Sequence, residues 1–227
     1  MPTQIFTRSA NENLYKLSCD FLPPHVERFR CVNFNHWQDA NNYLHYILNN
    51  GADWVVNIDE DAFVTNWRAI VDMIEYMKAY GYEYAGMPDG GVCHHRIHSW
   101  IACNPFFNIF NARALREKMA VAGRQVIDSF QFDPSMEVNK PHFVTGEYQH
   151  DFYEPYYSLF YWLMQNSKGL YLKEHTHPDT ISSGLLWNEK PFLYHSWYSR
   201  EFDTNPVHRQ RIVNLYKEAK IKVISNH

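Results

Sequence analysis

Apolar and polar positions in the first part of the chain switch repeatedly between short extended runs and helical spacing. Thr3 to Thr7 reads as a strand ending at Arg8-Ser9, and Asn11 to Leu22 as a helix stopped by Pro23-Pro24. Phe29 to Phe34 predicts a second strand. Between Trp37 and Leu48 the apolar residues Trp37, Tyr43, Leu44, Ile47 and Leu48 fall close to helical spacing, with Asn49-Asn50-Gly51 as the stop. Trp54 to Ile58 is a mainly apolar run, too short for an ordinary helix and bounded by Gly51 and an acidic cluster, so it predicts a buried strand. Strand, helix, strand, helix, strand at this spacing predicts an α/β fold with a central, mostly parallel sheet flanked by helices. Ligands of such open sheets collect outside the carboxyl ends of the strands, and here the third strand ends in Asp59-Glu60-Asp61.

Further on, Asn66 to Tyr80 predicts a helix ending at Gly81, and Tyr82 to Met87 a strand. Pro88-Asp89-Gly90-Gly91 then opens an irregular segment through His98. Trp100 to Phe110 predicts a strand broken at Pro105, Ala112 to Ala122 a helix closed by Gly123, and Asp128 to Gly146 a long loop. Pro155 fits the first turn of a helix running to about Ser167, followed by a strand at Leu170 to Lys173. Phe192 to His195 predicts a last short strand, and Asn205 to Ala219 a C-terminal helix. With no repeat, low-complexity segment or linker in view, a single domain over 1–227 is expected.

Composition narrows the function classes. The 227 residues are 45% apolar, enough for a large core, and 21 Lys plus Arg against 25 Asp plus Glu give a net charge of -4 with no basic cluster. That argues against a nucleic-acid partner. The longest apolar stretch, Tyr156 to Met164, falls short of the roughly 18–20 residues a spanning helix needs. Met1 to Arg8 lacks the marks of a secretory leader, so a cytoplasmic protein is expected. Cys19, Cys31, Cys93 and Cys103 form no CxxC pair, which disfavours both a disulfide framework and a zinc knuckle.

The sharpest chemical signal is Val55-Val56-Asn57-Ile58-Asp59-Glu60-Asp61. Two carboxylates two residues apart past a strand end can enter one site and hold a divalent cation with positions left for phosphate oxygens. These residues resemble the DxD motif of GT-A glycosyltransferases, enzymes that use nucleotide-diphosphate sugars. The resemblance extends over most of the chain and implies a Rossmann-like domain, with residues 1–87 as the nucleotide-sugar half and 88–227 as the acceptor half. It implies Asp61 as a ligand of Mn²⁺ or Mg²⁺, and Asp59 at the ribose or the metal's water shell. His195, in Leu193-Tyr194-His195-Ser196-Trp197, stands where many such enzymes carry a third metal ligand. By position, Thr7 and Arg8 would lie near the nucleobase and diphosphate, with Asn33 and Asn35 at the second strand end. Asn104 to Asn111 resembles the family's strand near the donor sugar, which places Asn108 there, although the glycine often found in it is missing.

Inverting transfer needs a base for the acceptor hydroxyl. Asp151, just outside the helix after Pro155, is the first choice, ahead of Glu154 and then Glu147. Glu154 also reads as a helix cap. His175 and His177 form a rival metal pair, ranked lower because Thr176-His177-Pro178 reads as a turn. The segment Asp89 to Arg96 can bring backbone, histidine and arginine to a sugar, and Trp100, Trp187 and Trp197 can stack on sugar rings or serve as core. The expected activity is metal-dependent sugar transfer from a nucleotide-diphosphate sugar to a glycan or other hydroxyl acceptor, in surface glycan synthesis. Two other readings stay open: a phosphatase of the haloacid dehalogenase type, and a sugar- or nucleotide-binding module without turnover.

Overall fold

The computed structural model describes residues 3–89, 96–135 and 140–225. Its first half follows the hydrophobic pattern closely. β1 (Thr3–Arg8), α1 (Glu12–Cys19), β2 (Arg28–Cys31), α2 (Ala40–Leu48) and β3 (Trp54–Ile58) appear in the expected order. Asn11 caps α1 by accepting the N–H groups of Asn13 and Leu14. Along β3 side chains alternate: Trp54, Val56 and Ile58 pack into one core, and Val55 into the other. A strand buried on both faces explains the unbroken apolar run.

After β3 the chain makes β4 (Ala62–Val64), α3 (Trp67–Tyr80), β5 (Tyr84–Pro88), β6 (Cys103–Phe110), α4 (Ala112–Ala122) and α5 (Arg124–Asp128). Then come α6 (Tyr157–Asn166), β7 (Gly169–Tyr171), β8 (Glu174–Thr176), β9 (Ser183–Trp187), β10 (Lys190–His195) and α7 (Pro206–Ser225). A six-stranded sheet has the order β2-β1-β3-β6-β5-β7, with β6 antiparallel to its neighbours and the other pairs parallel. One core gathers α2, α4 and α6 on one face, and the other gathers α1, α3 and α7 on the opposite face.

Three differences from the sequence reading have physical causes. β6 runs through Pro105 instead of breaking there, because its pairing with β5 shifts register between Gly86 and Pro88 and the missing N–H falls in that irregularity. A second sheet, β4-β10-β9-β8, is fully antiparallel and was not expected. Its strands β4 and β8 have three residues each, too few to display a period. Finally, α7 continues past Ala219 to Ser225. Among the described residues no helix is long and apolar enough to cross a membrane.

The link between β8 and β9 is held by one carboxylate. Asp179 accepts the N–H groups of Ile181 and Ser182 at 3.0 and 2.7 Å and the Ser182 hydroxyl at 2.6 Å. Burial alone would push its carboxyl up, but these donors outweigh it and hold it at about 2, below the ordinary 3.8. A depressed carboxyl stabilises the fold fully above its unfolded value and stops doing so as pH falls through the folded one. Asp179→Asn is therefore expected to lower stability by about 2 kcal/mol at pH 7. In urea unfolding, that gap should close as pH drops from about 4 towards 2.

Candidate metal centre

β1 has β2 on one side and β3 on the other, so the connections leave it in opposite directions. A crevice opens where such connections diverge, at the carboxyl ends of the strands. Arg8 ends β1 and Asp59 follows β3, and both line a cleft of about 380 Å³ together with Asp61, Glu154 and His195. A roomier hollow of about 680 Å³, lined by residues of α2, α4 and α5, has no carboxylate in its wall.

The acidic triplet is the point where the chain leaves one sheet for the other. Asp59 still belongs to the large sheet through its N–H, which donates to the Phe106 carbonyl at 2.8 Å. The chain then turns, with the Ala62 N–H donating to the Asp59 carbonyl, and β4 joins the small sheet. There Ala62 pairs with His195, and the Ser196 N–H donates to the Asp61 carbonyl at 3.1 Å. This register brings a histidine 134 positions away beside the acids; donor atoms of Asp59, Asp61 and His195 all lie within 4.8 Å of one another.

The intervening Glu60 is turned elsewhere. Its carboxylate accepts the Ser9 hydroxyl at 2.7 Å and the Asn11 N–H at 2.8 Å, tying the loop between β1 and α1 to the end of β3. Asp61 is oriented by the Ser196 hydroxyl, which donates to its Oδ2 at 2.9 Å. His195 Nε2 lies 3.3 Å from Asp61 Oδ1, and its ring is stacked on Phe106 with centroids 4.1 Å apart.

Electrostatics make these acids a candidate cation site. Burial, then the neighbouring Asp61 charge, push the Asp59 carboxyl well above the ordinary range. Burial also opposes ionisation of Asp61, but His195 and the Ser196 hydroxyl outweigh it and hold that carboxyl low. Two close carboxylates resist being charged together, and a bound cation removes that conflict. The residues present fit a divalent ion: two carboxylates, one imidazole, and a buried His195 Nδ1 with no hydrogen-bond partner. Carboxylate oxygens and an imidazole nitrogen are donors that a divalent cation takes. Among the described residues no other group of three such donors converges in this way.

A second, fully buried carboxylate supports the opposite wall. Asp89, one residue past β5, accepts Arg96 Nε at 3.0 Å, Asn104 Nδ2 at 2.6 Å and the hydroxyls of Tyr156 and Tyr157 at 3.0 and 2.6 Å. Arg96 continues to Glu154 Oε1 at 2.8 Å, while the Trp37 indole N–H donates to Glu154 Oε2 at 2.7 Å. Burial, then the Asp89 charge, raise the Glu154 carboxyl above its ordinary value. The sequence reading used Asp89 only as the opening of a loop; its place at a strand's carboxyl end was the available signal. Trp37, read there as part of a helix, lies at the cleft with nearly half its surface exposed.

The remaining sequence candidates fall in different places. Thr7 is buried and its hydroxyl accepts from Arg28, whereas Asn33 and Asn35 are exposed away from the cleft lining. Asn108 lies inside the large sheet, its amide shared with Asn57 and the Asn104 carbonyl. Asp151 bonds His98 Nδ1 at 2.8 Å and the Tyr153 N–H at 3.0 Å, and neither it nor the exposed Glu147 lines the cleft. His177 is enclosed between Asp179 and Glu218, and His175 is packed over Gly184. Trp197 lines the cleft and leans on His195, Trp100 is buried, and Trp187 packs on Tyr76. Residues 90–95 of the glycine- and histidine-bearing loop lie outside the described residues. Removing Asp89 strands a buried guanidinium and two phenols, so Asp89→Ala is expected to cost about 3–5 kcal/mol in urea unfolding at pH 7. Asp89→Asn is expected to cost less.

No family model and no curated protein matches the chain. Among solved structures, the chain resembles a STIV protein at 14% identity and a TM-score of 0.47, over 84% of this chain and 88% of that one. It also resembles a glycosyltransferase involved in the glycosylation of the major capsid of PBCV-1, at 8% identity and a TM-score of 0.49, over 97% of this chain and all of that one. At TM-scores of 0.47 and 0.49 neither likeness carries the functional reading, which rests on the residues at the end of β3.

Proposed function

We propose that the protein is a metal-dependent glycosyltransferase that moves a sugar from a nucleotide-diphosphate sugar to an acceptor hydroxyl. The observation that carries this reading is the Asp59, Asp61 and His195 group at the divergence of β1 and β3, lining one cleft with Arg8. Asp61, Asp59 and His195 hold Mn²⁺ or Mg²⁺. When bound, the cation supplies Lewis-acid neutralisation of the departing diphosphate.

Arg8 and Arg200 add positive charge along the same cleft, and both act on Asp59. Arg8 also fixes the segment after β2 by donating to the Phe34 and His36 carbonyls at 2.5 and 2.6 Å, giving the donor nucleotide a formed wall. Of the three acids considered for the base, Glu154 is the one in the cleft lining. We assign it that role in an inverting transfer: its carboxylate takes the acceptor's proton while the acceptor oxygen bonds the anomeric carbon and the diphosphate oxygen departs. A raised carboxyl is a better proton acceptor than an ordinary one. Asp151 bonds His98 and Tyr153 outside the cleft lining, and it is this placement that ranks it below Glu154.

Calorimetry of metal-stripped protein with nucleoside diphosphates and their sugars tests the site. Binding is expected to need Mn²⁺ and to weaken about a hundredfold in Asp61→Ala. Equal binding without metal, unchanged by that substitution, would remove the assignment. For the base, Glu154→Gln is expected to cut kcat about a hundredfold or more with nucleotide affinity retained, and Asp151→Asn less than about tenfold. The reverse order of effects would give the role to Asp151.

A further inference from the structure

The chain leaving His195 adopts a backbone that bulky residues avoid. Trp197 and Tyr198 have φ of 59° and 61°, two consecutive aromatic residues in the left-handed region. Such outliers persist only where the surroundings over-determine them, and they gather at functional sites. The other consecutive pair among the described residues, Asn188 and Glu189, is explained by its place between β9 and β10, where a two-residue hairpin turn requires positive φ. No hairpin follows His195. The chain enters a short 3-10 turn at Ser199–Glu201 that forms part of the cleft wall.

One side chain from α7 grips this turn. Arg211, about one-tenth exposed, donates Nη1 to the Ser196 carbonyl at 2.5 Å and to the Ser182 hydroxyl at 2.7 Å, and Nη2 to the Trp197 carbonyl at 2.8 Å. Its charge is balanced by Asp179 at 3.6 Å. One turn earlier on α7, His208 stacks on the Tyr198 ring with centroids 4.4 Å apart. Ser196, whose carbonyl Arg211 holds, is the residue whose hydroxyl and N–H orient Asp61.

We propose that Arg211 is a positioning residue: its guanidinium fork fixes the strained turn after His195 and thereby holds His195 and Asp61 in metal-binding geometry. The proposal rests on the metal reading above. It separates cleanly from simple electrostatics, because removing a cation near a cation site should tighten metal binding, whereas loss of positioning should weaken it.

The test is a Mn²⁺ titration of the full chain, read by the electron paramagnetic resonance signal of free Mn²⁺, on wild type, Asp61→Ala, Arg211→Met and Arg211→Lys. Near-ultraviolet circular dichroism confirms that each metal-free variant is folded. Wild type is expected to bind with Asp61 dependence, Arg211→Met about tenfold more weakly, and Arg211→Lys more weakly by less, since an ammonium can keep one carbonyl contact but cannot span both as a fork does. Folded Arg211 variants that bind Mn²⁺ as tightly as wild type, or more tightly, would overturn the proposal. Should Arg211→Met not fold, Arg211→Lys decides by the same criterion. Absence of Asp61-dependent binding in the wild type would instead withdraw the metal reading, and this proposal with it.

Discussion

The site depends on a change of sheet made within three residues. β3 is locked on both sides in the large sheet by β1 and β6, and β4 is locked against β10 in the small one. Asp59, Glu60 and Asp61 must span that change, so their backbone has little freedom. Pairing of Ala62 with His195 then fixes which late residue stands beside them. Ladder hydrogen bonds that would be made in any case thus set the spacing of the metal donors. No flexible loop has to close for the three to meet.

Packing on either side of the cleft divides the electrostatic work. One wall brings Asp59 and Asp61 together with His195 in contact with Asp61, so burial and the Asp61 charge raise Asp59 and a cation is the natural complement. The facing wall neutralises its charge internally: Asp89 is surrounded by a guanidinium, an amide and two phenols, and is wholly buried. Partner-rich buried carboxylates rigidify what surrounds them. Glu154 and Trp37 are the outer members of that network, so this wall of the cleft is held in place from beneath.

The sequence was most informative where secondary structure has a strong period. Apart from β4, the helices and strands up to β5 and the acidic triplet could be read because apolar runs and caps mark them. Three-residue strands such as β4 and β8 leave no such mark, and with them went the small sheet. The choice among Asp151, Glu154 and Glu147 depended on which of three neighbouring acids faces the cleft, and no local pattern encodes that. Asp89, Ser196 and Arg211 were missed for the same reason: their roles come from partners many residues away. His195 was found through resemblance, and its juxtaposition with Asp61 through a strand register that spacing alone does not reveal.

Glu60 gives the triplet an internal division of labour. Alternate residues carry the donor atoms, while the residue between them is committed to Ser9 and Asn11 on the neighbouring loop. Natural variation at position 60 should therefore be tied to the loop: a sequence that loses the acid there must lose or replace the hydroxyl at 9, or leave its buried O–H without an acceptor, since Arg30 Nε only donates to that oxygen. Variation at 59 and 61 answers to a different constraint, since Asp61 is matched to His195 and Ser196 on the far strand and not to this loop. In an alignment of relatives, the middle of the triplet would covary with position 9, whose side chain it binds, and not with position 11, which offers only its backbone N–H.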